Sequence, residues 1–567
     1  MGSKSVLGCV KSIIRDKRGL TLALALTAVL SVLASLAPPQ IMKFIIDKYL
    51  SEDKTAGLIT PAAIYLIVII LIGILDFLKG WLLTFFGQRT IHQIRLEMMK
   101  KLGILPYPFF TQNSAGSISS RITTDVENVD VLFSDGLVSM AVDSLKLIGI
   151  IISIWIFSFR LAIVALCLIP IVFLITRFFR KRMLAAQTEN LKQLGKVNGH
   201  IAESVKNIMM IKLFSKERYM EDKYCRELES NYKTKGKVII YDSCYAPIIQ
   251  LIRALVISLV VILSAEQIGV IGVSVGMVAA TIDLISGLLA PVEALGMEIQ
   301  NIQKGLSGMK RIDEFLMLKE DEKDENITAE AVIEGCKVCA VSFESLCFSY
   351  DKDIPVLKNM TFQIPYGESV TLAGRTGVGK STLFALVMGL LQPTSGRILI
   401  GGYAAHKVPD GIKRKIFGYV EQNFRFVPGS VADQISLGDP SITPERVQQV
   451  CKLVGLSESI EALEQGYDTV LSGNNSFSWG QCQLLSIARA VASDPKILLL
   501  DEITANLDSA TEERIMQALQ NVSIGRTVLS ISHRESAMRN CGRLIYIEDG
   551  EIIAQGEPIS TLELVKS

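Results

Sequence analysis

The sequence predicts an all-α membrane domain in which six helices cross the bilayer, followed by an α/β domain of the phosphate-loop type. Runs near the ~20 apolar residues needed to cross a bilayer core occur only before Gln300. Short β-rich segments alternating with helical patterns follow. One of those segments leads directly into the glycine-rich stretch Gly374–Ser381, which opens a helical pattern.

Six apolar runs are long enough to be membrane spans. They are Leu20–Ile41, Pro61–Phe86, Leu132–Phe157, Leu161–Phe178, Pro247–Ala265 and Val275–Leu295. Lys and Arg are frequent in the N-terminal segment and in the long stretches 88–127 and 180–237, but scarce in the loops 51–60 and 266–273. Because positive charge stays on the cytosolic side, both termini are predicted to be cytosolic. The long stretches are predicted to continue their flanking helices beyond the bilayer.

Composition limits the functional classes. The 567 residues are 49% hydrophobic with a net charge of +1, so no basic excess supports nucleic-acid binding. The 10 cysteines show no spacing typical of a disulfide framework. Cys336 and Cys339 have the spacing of a metal-ligand pair, but no second pair exists, and free thiols in strands are the favoured interpretation. The stretch Val6–Ile14 is either an interfacial amphipathic helix or a plain lead-in to the first span.

A change in amino-acid composition near residue 320, from apolar runs to a charged stretch, predicts the domain boundaries. Residues 1–320 are assigned to the membrane domain, the charged stretch 321–340 to a linker, and 341–567 to the α/β domain. Its strand-like segments are Ser369–Ala373, Ile398–Ile400, Ile497–Leu500 and Thr527–Ile531. Their alternation with helical patterns favours a mainly parallel sheet.

The glycine-rich stretch fits the pattern G-x-x-x-x-G-K-[ST]. Its predicted phosphate-binding residues are Gly374, Arg375, Thr376, Gly377, Val378, Gly379, Lys380, Ser381 and the following Thr382. Glycines allow backbone N–H groups to turn toward phosphate oxygens, and the helix N-terminus adds partial positive charge. Lys380 is predicted to reach the terminal phosphates and Ser381 to ligate Mg²⁺.

Two carboxylates end a later apolar strand pattern. In Ile497–Glu502, Asp501 is suited to the Mg²⁺ shell, and Glu502 is placed to orient or deprotonate an attacking water. Together with the phosphate loop, these residues predict a Mg²⁺-dependent nucleotide triphosphatase joined to membrane helices.

Further motifs resemble those of ATP-binding-cassette (ABC) transporters. Phe477–Gln481 followed by Ser486–Ala490 resembles the signature motif of that family. The resemblance implies that Tyr350 stacks on adenine, that Gln422 contacts Mg²⁺, and that His533 contacts the γ-phosphate. It also implies that Asn506–Asp508 crosses to a partner ATPase. In the membrane half, the segments that resemble exporter-fold members are Phe109–Phe110, Gly116, Arg121, Asp125, Glu203, Ile208–Phe214, Pro291 and Arg311–Phe315.

The resemblance implies a half-transporter that works as a dimer. Each ATP would lie between the phosphate loop of one ATPase and Ser478, Gly480 and Gln481 of the other. Glu502, His533 and Gln422 would be the catalytic residues, and Ser381, Gln422 and Asp501 would hold Mg²⁺. ATP hydrolysis would then drive the membrane helices between inward-open and outward-open forms.

The signature departs from the usual family pattern. Phe477 and Trp479 replace Leu and Gly, and Cys482–Leu484 stands where Arg residues are common. In addition, 472–475 lacks the usual acidic residue, and Ala505 and Asn506 replace Ser and Ala. Since the hydrolytic residues are intact, a heterodimer with one fully active site is favoured over a homodimer.

Several ionisable residues fall in or near the predicted spans. They are Asp76, Lys79, Asp143, Lys146, Arg253 and Asp283. Asp76 with Lys79 and Asp143 with Lys146 have i,i+3 spacing, so each pair could neutralise itself on one helix face. Packing salt bridges are the first interpretation, and a substrate cavity is the second, with Arg253 and Asp283 as preferred candidates.

The expected function is export of a small molecule, lipid or peptide across a bacterial inner membrane. An exporter-fold importer of a metal chelate, an ATP-gated channel or regulatory membrane subunit, and a catalytically quiet subunit remain open. The expected partners are a second half-transporter, membrane lipid and an unidentified substrate, and no nucleic acid.

Overall fold

The computed structural model describes residues 5–50, 57–157, 159–265, 274–351, 354–375, 377–471, 477–503, 509–533, 538 and 541–566. The chain forms two compact units. One combines Met1–Ile104 with Asn113–Leu318, and the other combines Leu105–Gln112 with Lys319–Ser567.

The first unit is built from helices. In chain order they are α1 Val6–Asp16, α2 Arg18–Ser35, α3 Ala37–Ile45, α4 Ile59–Gly103, α6 Ala115–Ser120, α7 Val126–Val131, α8 Ser139–Phe157, α9 Phe159–Lys206, α10 Ile208–Leu213, α11 Glu217–Ala265 and α12 Val275–Leu316, with α5 Tyr107–Gln112 grouped in the second unit. Short π-helical stretches continue the chain at Ile46–Leu50, Arg121–Asp125 and Leu132–Val138.

Within the described residues, 5 helical segments are long and apolar enough to cross a membrane. They are Arg18–Leu50, Ile59–Gly103, Ala115–Phe157, Glu217–Ile262 and Val275–Leu316. Four of the six predicted spans lie within these segments, and Pro247–Ala265 overlaps one of them up to Ile262. The remaining one, Leu161–Phe178, lies in α9, and its crossing stays a prediction.

The first span contains a break that its apolar pattern does not show. Helix α2 ends at Ser35, and α3 starts at Ala37 with proline at its first positions. Because Pro38 and Pro39 have no N–H to donate, they fit the first turn of a new helix better than the interior of a continuous one.

Helix α12 packs closely on the segment that precedes α8. A Cβ on Gly305 would lie 2.3 Å from Cβ of Leu132, so only glycine permits this approach. Nearby, Arg311 donates from Nε and Nη2 to both carboxylate oxygens of the buried Asp125. This bidentate pair fixes the C-terminal end of α12 to the segment around Asp125.

The second unit contains two sheets. Its strands are β1 Val341–Asp351, β2 Ile354–Ile364, β3 Ser369–Gly374, β4 Ser395–Ile400, β5 Tyr403–Ala404, β6 Phe417–Val420, β7 Ile497–Asp501, β8 Thr527–Ile531, β9 Arg543–Glu548 and β10 Glu551–Gly556. One sheet has the order β2-β1-β4-β5 and the other β10-β9-β3-β8-β7-β6. The helices of this unit are α13 Ala329–Cys336, α14 Lys380–Val387, α15 Asp410–Ile416, α16 Val431–Ser436, α17 Pro444–Leu453, α18 Ser457–Glu461, α19 Trp479–Val491, α20 Ser509–Ser523 and α21 Pro558–Lys566.

The larger sheet is mainly parallel, as predicted. Strand β3 pairs in parallel with β8 and β9, and β7 pairs in parallel with β6 and β8. The predicted strand Ile398–Ile400 is part of β4, which pairs antiparallel with β1 in the smaller sheet, a pairing that the sequence alternation does not reveal. One expectation is wrong. Cys336 ends helix α13 instead of lying in a strand, and its thiol is buried.

The strand order positions the candidate site. Parallel strands end at the same edge of a sheet, and the loops after them meet there. Strands β3 and β7 are both neighbours of β8. The loop after Gly374 and the carboxylates Asp501 and Glu502 therefore lie at the same edge.

Candidate active site

The phosphate loop has a backbone that its glycines make possible. Gly374, Gly377 and Gly379 have φ of 147°, 92° and 97°, in the region that favours glycine. A Cβ on Gly374 would lie 2.2 Å from the carbonyl oxygen of Ile547. Gly379 is followed at once by α14, whose first N–H groups have no partners within the helix. The loop therefore matches an anion cradle at a helix N-terminus.

Lys380 lies inside this loop. Its Nζ donates to the carbonyl oxygens of Gly374 and Arg375, each at 2.8 Å, and the residue is 6% exposed. Burial lowers the pKa of the ammonium group, whereas Glu502 and Asp501 act in the opposite direction. A buried cation facing two carboxylates suits a ligand that combines phosphate oxygens with Mg²⁺, so the residues fit MgATP.

Two hydroxyl-bearing residues, Ser381 and Thr382, follow Lys380 in different surroundings. Ser381 is exposed, as a ligand for Mg²⁺ requires. The hydroxyls of Thr382 and Tyr350 are 3.1 Å apart. The Tyr350 ring is 64% exposed and contacts Phe348 edge-on at 4.9 Å. Tyr350 thus has a free face beside the helix that follows the phosphate loop, where a base can stack.

Asp501 ends β7 beside a tyrosine that the sequence did not single out. Tyr419 donates its O–H to Oδ2 of Asp501 at 3.2 Å. Burial raises the pKa of Asp501, Glu502 raises it further, and the Tyr419 bond lowers it. Burial beside Asp501 raises the pKa of Tyr419 as well, so its phenol keeps its proton. Tyr419 therefore orients the carboxylate that is predicted to bind Mg²⁺.

Three predicted catalytic residues form one cluster. Gln422 donates from Nε2 to Oε2 of Glu502 at 2.9 Å, and Nδ1 of His533 lies 3.3 Å from Oε1. Glu502 has φ of 44°, a strained value for a residue with a side chain. Such strain is common at functional positions, and here it accompanies a carboxylate held from both sides.

The signature segment begins a helix. Ser478 caps α19, since its Oγ accepts the N–H of Gln481 while Oε1 of Gln481 accepts the N–H of Ser478. Gly480 is buried, and a Cβ there would lie 2.3 Å from Cγ2 of Thr511. Trp479 is 45% exposed. The motif therefore presents a helix N-terminus with a bulky aromatic side chain at its first turn.

Two residues on α19 hold the Gln422 loop in place. Gln483 is 1% exposed and donates to the carbonyl oxygen of Gln422 at 2.7 Å. Arg489 donates to the carbonyl oxygens of Gln434 and Arg425, and its guanidinium lies 4.3 Å from the Phe424 ring centre. No role was predicted for either residue. Their polar character inside an apolar helical pattern was the available clue.

Comparisons with known proteins agree with this geometry. Residues 21–292 match the family described as ABC transporter transmembrane region, and residues 357–505 match ABC transporter. YfiC of Bacillus subtilis, an uncharacterized ABC transporter ATP-binding protein, is 30% identical over 98% of this chain and 91% of its own length. The chain belongs to the ABC transporter family.

Other relatives place this transporter among exporter-type members. An ATP-dependent lipid A-core flippase of Chromohalobacter salexigens is 30% identical over 92% of this chain and 90% of the relative. The structure of a bacterial Atm1-family ABC exporter with ATP bound has a TM-score of 0.79 and 23% identity, and the match covers 97% of this chain and 96% of that one. The latter likeness shows a shared fold. The transporter is thus a multi-pass membrane protein with a fused ATP-hydrolysing domain.

The charges in the membrane helices of the transporter are partly paired as expected. Lys79 lies 2.7 Å from Oδ1 of Asp76, which also accepts the hydroxyl of Ser31 at 2.6 Å. Asp143 interacts with Lys146 of the same helix, as expected, and is also hydrogen-bonded to Glu298 of α12. Spacing along one helix could not reveal a partner on another helix.

Arg253 and Asp283 are both exposed on the single chain. Neither forms an ion pair with another residue of the described chain, which leaves both free to face a partner half or a substrate.

Several predicted positions lie outside the described residues. They are Thr376, 472–475, Ala505, 506–508 and Arg534.

Proposed function

We propose that this chain is one half of a dimeric pump that hydrolyses MgATP to export an amphipathic molecule across a cytoplasmic membrane. The observation that carries the proposal is Glu502, held between Gln422 at 2.9 Å and His533 at 3.3 Å, at the sheet edge that also bears the phosphate loop. A quiet, ATP-binding subunit would not need this arrangement.

Each residue has a separate task in hydrolysis. Lys380 and the backbone N–H groups of the loop bind the β- and γ-phosphates of ATP. Glu502 orients the attacking water and accepts its proton, and Gln422 and His533 hold the carboxylate in position. His533 also offers a ring nitrogen to the γ-phosphate. Tyr350 supplies an aromatic face for the adenine.

Ser381, Asp501 and Gln422 would hold Mg²⁺. The ion would neutralise charge on the phosphate oxygens when bound. Ser381 and Gln422 are exposed, and Asp501 is kept in orientation by Tyr419 at 3.2 Å. The carboxylate of Asp501, the amide oxygen of Gln422 and the hydroxyl of Ser381 match the preference of Mg²⁺ for oxygen ligands.

A second half supplies the other side of the nucleotide. Ser478, Gly480 and Gln481 lie at the N-terminus of α19 and would meet the γ-phosphate bound to the partner. The exposed Trp479 occupies the first turn of this helix, where close approach of a phosphate is expected. We therefore favour a heterodimer, in which the ATP of this chain meets the signature of its partner.

The named relatives and two exposed charged residues support the proposed class of substrate. Relatives named lipid A-core flippases support an amphipathic lipid as cargo. The exposed Arg253 and Asp283 supply charged groups for a polar head. Both termini and the ATPase unit would be cytosolic, in keeping with the Lys and Arg distribution.

The proposal is tested with the transporter in lipid vesicles that contain a fluorescent phospholipid, in the presence and absence of its partner half. MgATP is expected to increase the lipid fraction in the far leaflet, and Lys380→Ala is expected to abolish the increase by impairing nucleotide binding. Equal movement with and without MgATP would contradict a pump. ATP hydrolysis without movement of the fluorescent lipid would exclude lipid as the cargo class.

A further inference from the structure

An open cavity of about 960 Å³ lies beside α1 and the start of the first apolar span. Helix α1 ends at Asp16, Lys17 leaves helical geometry with φ of −125° and ψ of 50°, and α2 starts at Arg18. The walls of the cavity come from α1, from the first turns of α2 and from the cytosolic part of α4.

Helix α1 is fixed by one face. Val10 and Ile13 are buried against Phe86, and the N–H of Val6 donates to Oδ1 of Asp313 at 2.7 Å. The opposite face of the helix is therefore turned away from this contact, and its Lys11, Ser12 and Arg15 line the cavity. Because this is an amphipathic helix directly before an apolar span, it is suited to the level of the lipid headgroups.

The polar wall carries an excess of positive charge. Lys11, Arg15 and Arg18 line it. Arg15 is 3.9 Å from Asp16, whereas neither Lys11 nor Arg18 forms an ion pair with another residue of the described chain. The acidic residue in the wall, Glu97, is already paired with Lys100 at 3.2 Å.

Neutral hydrogen-bonding groups complete this wall. The hydroxyls of Ser12 and Thr21 and the amide of Gln93 are in the lining. Such groups can contact ester and glycerol oxygens next to a phosphate.

An apolar surface continues from the cavity along α2. Leu22 lines the cavity and is 70% exposed, and Leu26 and Leu33 on the same helix are 57% and 60% exposed. From Leu22 to Leu33 the helix rises about 16 Å at about 1.5 Å per residue. This length is roughly half of the bilayer core, which is the depth reached by one acyl chain.

We infer that this cavity binds one anionic phospholipid, with its phosphate against Lys11, Arg15 and Arg18 and an acyl chain along Leu22–Leu33. The cations recognise the phosphate and the apolar strip recognises the chain. The lipid links α1 to α2 and α4, and it is separate from any transported molecule. Inorganic phosphate would meet only the polar wall.

The test uses the full-length protein in mild detergent and a fluorescent phosphatidylglycerol, whose binding is followed by anisotropy. The variant Lys11→Gln/Arg15→Gln/Arg18→Gln removes the cations. The matched control Lys192→Gln/Lys196→Gln/Lys235→Gln removes three exposed cations from the cytosolic parts of α9 and α11. Ser12→Glu keeps every cation but adds a negative charge to the cavity, so it tests the site without reducing the positive charge of the N-terminus.

Each cation near an anionic headgroup strengthens binding about fivefold. The triple cavity variant is therefore expected to bind phosphatidylglycerol about a hundredfold more weakly, and Ser12→Glu, which adds one opposing charge, about fivefold more weakly. The control should change by less than about twofold, and phosphatidylcholine or excess inorganic phosphate should compete poorly. Unchanged binding in both cavity variants, equal loss in the control, or displacement by inorganic phosphate alone would each overturn the inference.

Discussion

Replacing Gln483 by leucine should separate the stability of the ATPase unit from its activity. Gln483 donates to the carbonyl oxygen of Gln422 at 2.7 Å, and its own Oε1 is buried without a hydrogen-bond partner in the described chain. The lost bond contributes about 0.5–1.5 kcal/mol, and an unsatisfied buried group costs about 1–3 kcal/mol. Leucine removes the stabilising bond and the destabilising unsatisfied oxygen together. These two contributions oppose each other, so the free energy of unfolding should change by about 1 kcal/mol or less.

Activity should respond more strongly than stability. Without its anchor the Gln422 loop moves, and Gln422 contacts Glu502 at 2.9 Å. A displacement near 1 Å at a catalytic group can cost about a hundredfold in rate, and a looser Gln422 should lower turnover about tenfold. Phosphate release by Gln483→Leu in lipid measures turnover, and a thermal melt measures stability. Cys482→Ala, a buried neighbour on the same helix, is the control. Unchanged turnover would refute the positioning role, as would a large loss of stability that accounts for the loss of activity.

Two further changes test other contacts. Tyr419→Phe removes the hydrogen bond that lowers the pKa of Asp501. Since Mg²⁺ binds the ionised carboxylate, the acid limb of the pH–rate profile should move to higher pH and return toward the wild-type position as the Mg²⁺ concentration is raised. An unmoved acid limb would contradict this role of Tyr419. Asp125→Asn leaves the guanidinium of Arg311 without its buried partner; it should cost about 1–3 kcal/mol, below the penalty of a fully buried pair because Arg311 is 46% exposed. A lower apparent thermal midpoint that the added change Arg311→Gln partly restores would support this, and an unchanged midpoint would contradict it.

Local patterns were sufficient for the parts of the fold that depend on neighbours in sequence. The phosphate loop is one such part, because its glycines and Lys380 lie within one turn between a strand and a helix. The placement of Asp501 and Glu502 at a strand end followed from the apolar run of four residues Ile497–Leu500. Parallel pairing of β3 and β7 with β8 then brings these groups to one edge.

Contacts between distant segments could not be derived in this way. Tyr419 and Asp501 are 82 residues apart, and Gln483 and Gln422 are 61 residues apart, so each contact depends on the strand and helix order. The contact of Asp143 with Glu298 on α12 likewise joins residues that are far apart in sequence. The roles assigned to Ser478, Gly480 and Gln481 depend on a second half and stay predictions.

The most direct measurement is steady-state ATP turnover in lipid by the wild-type chain and by Glu502→Gln, together with the mass of the particle, with and without a candidate partner half. The glutamine keeps the size of the side chain but cannot accept a proton. Turnover by a two-chain particle is expected to fall about a hundredfold or more in the variant, while ATP binding persists. Equal turnover by both proteins would contradict the assignment of Glu502, and turnover by a single-chain particle would contradict the dimeric pump.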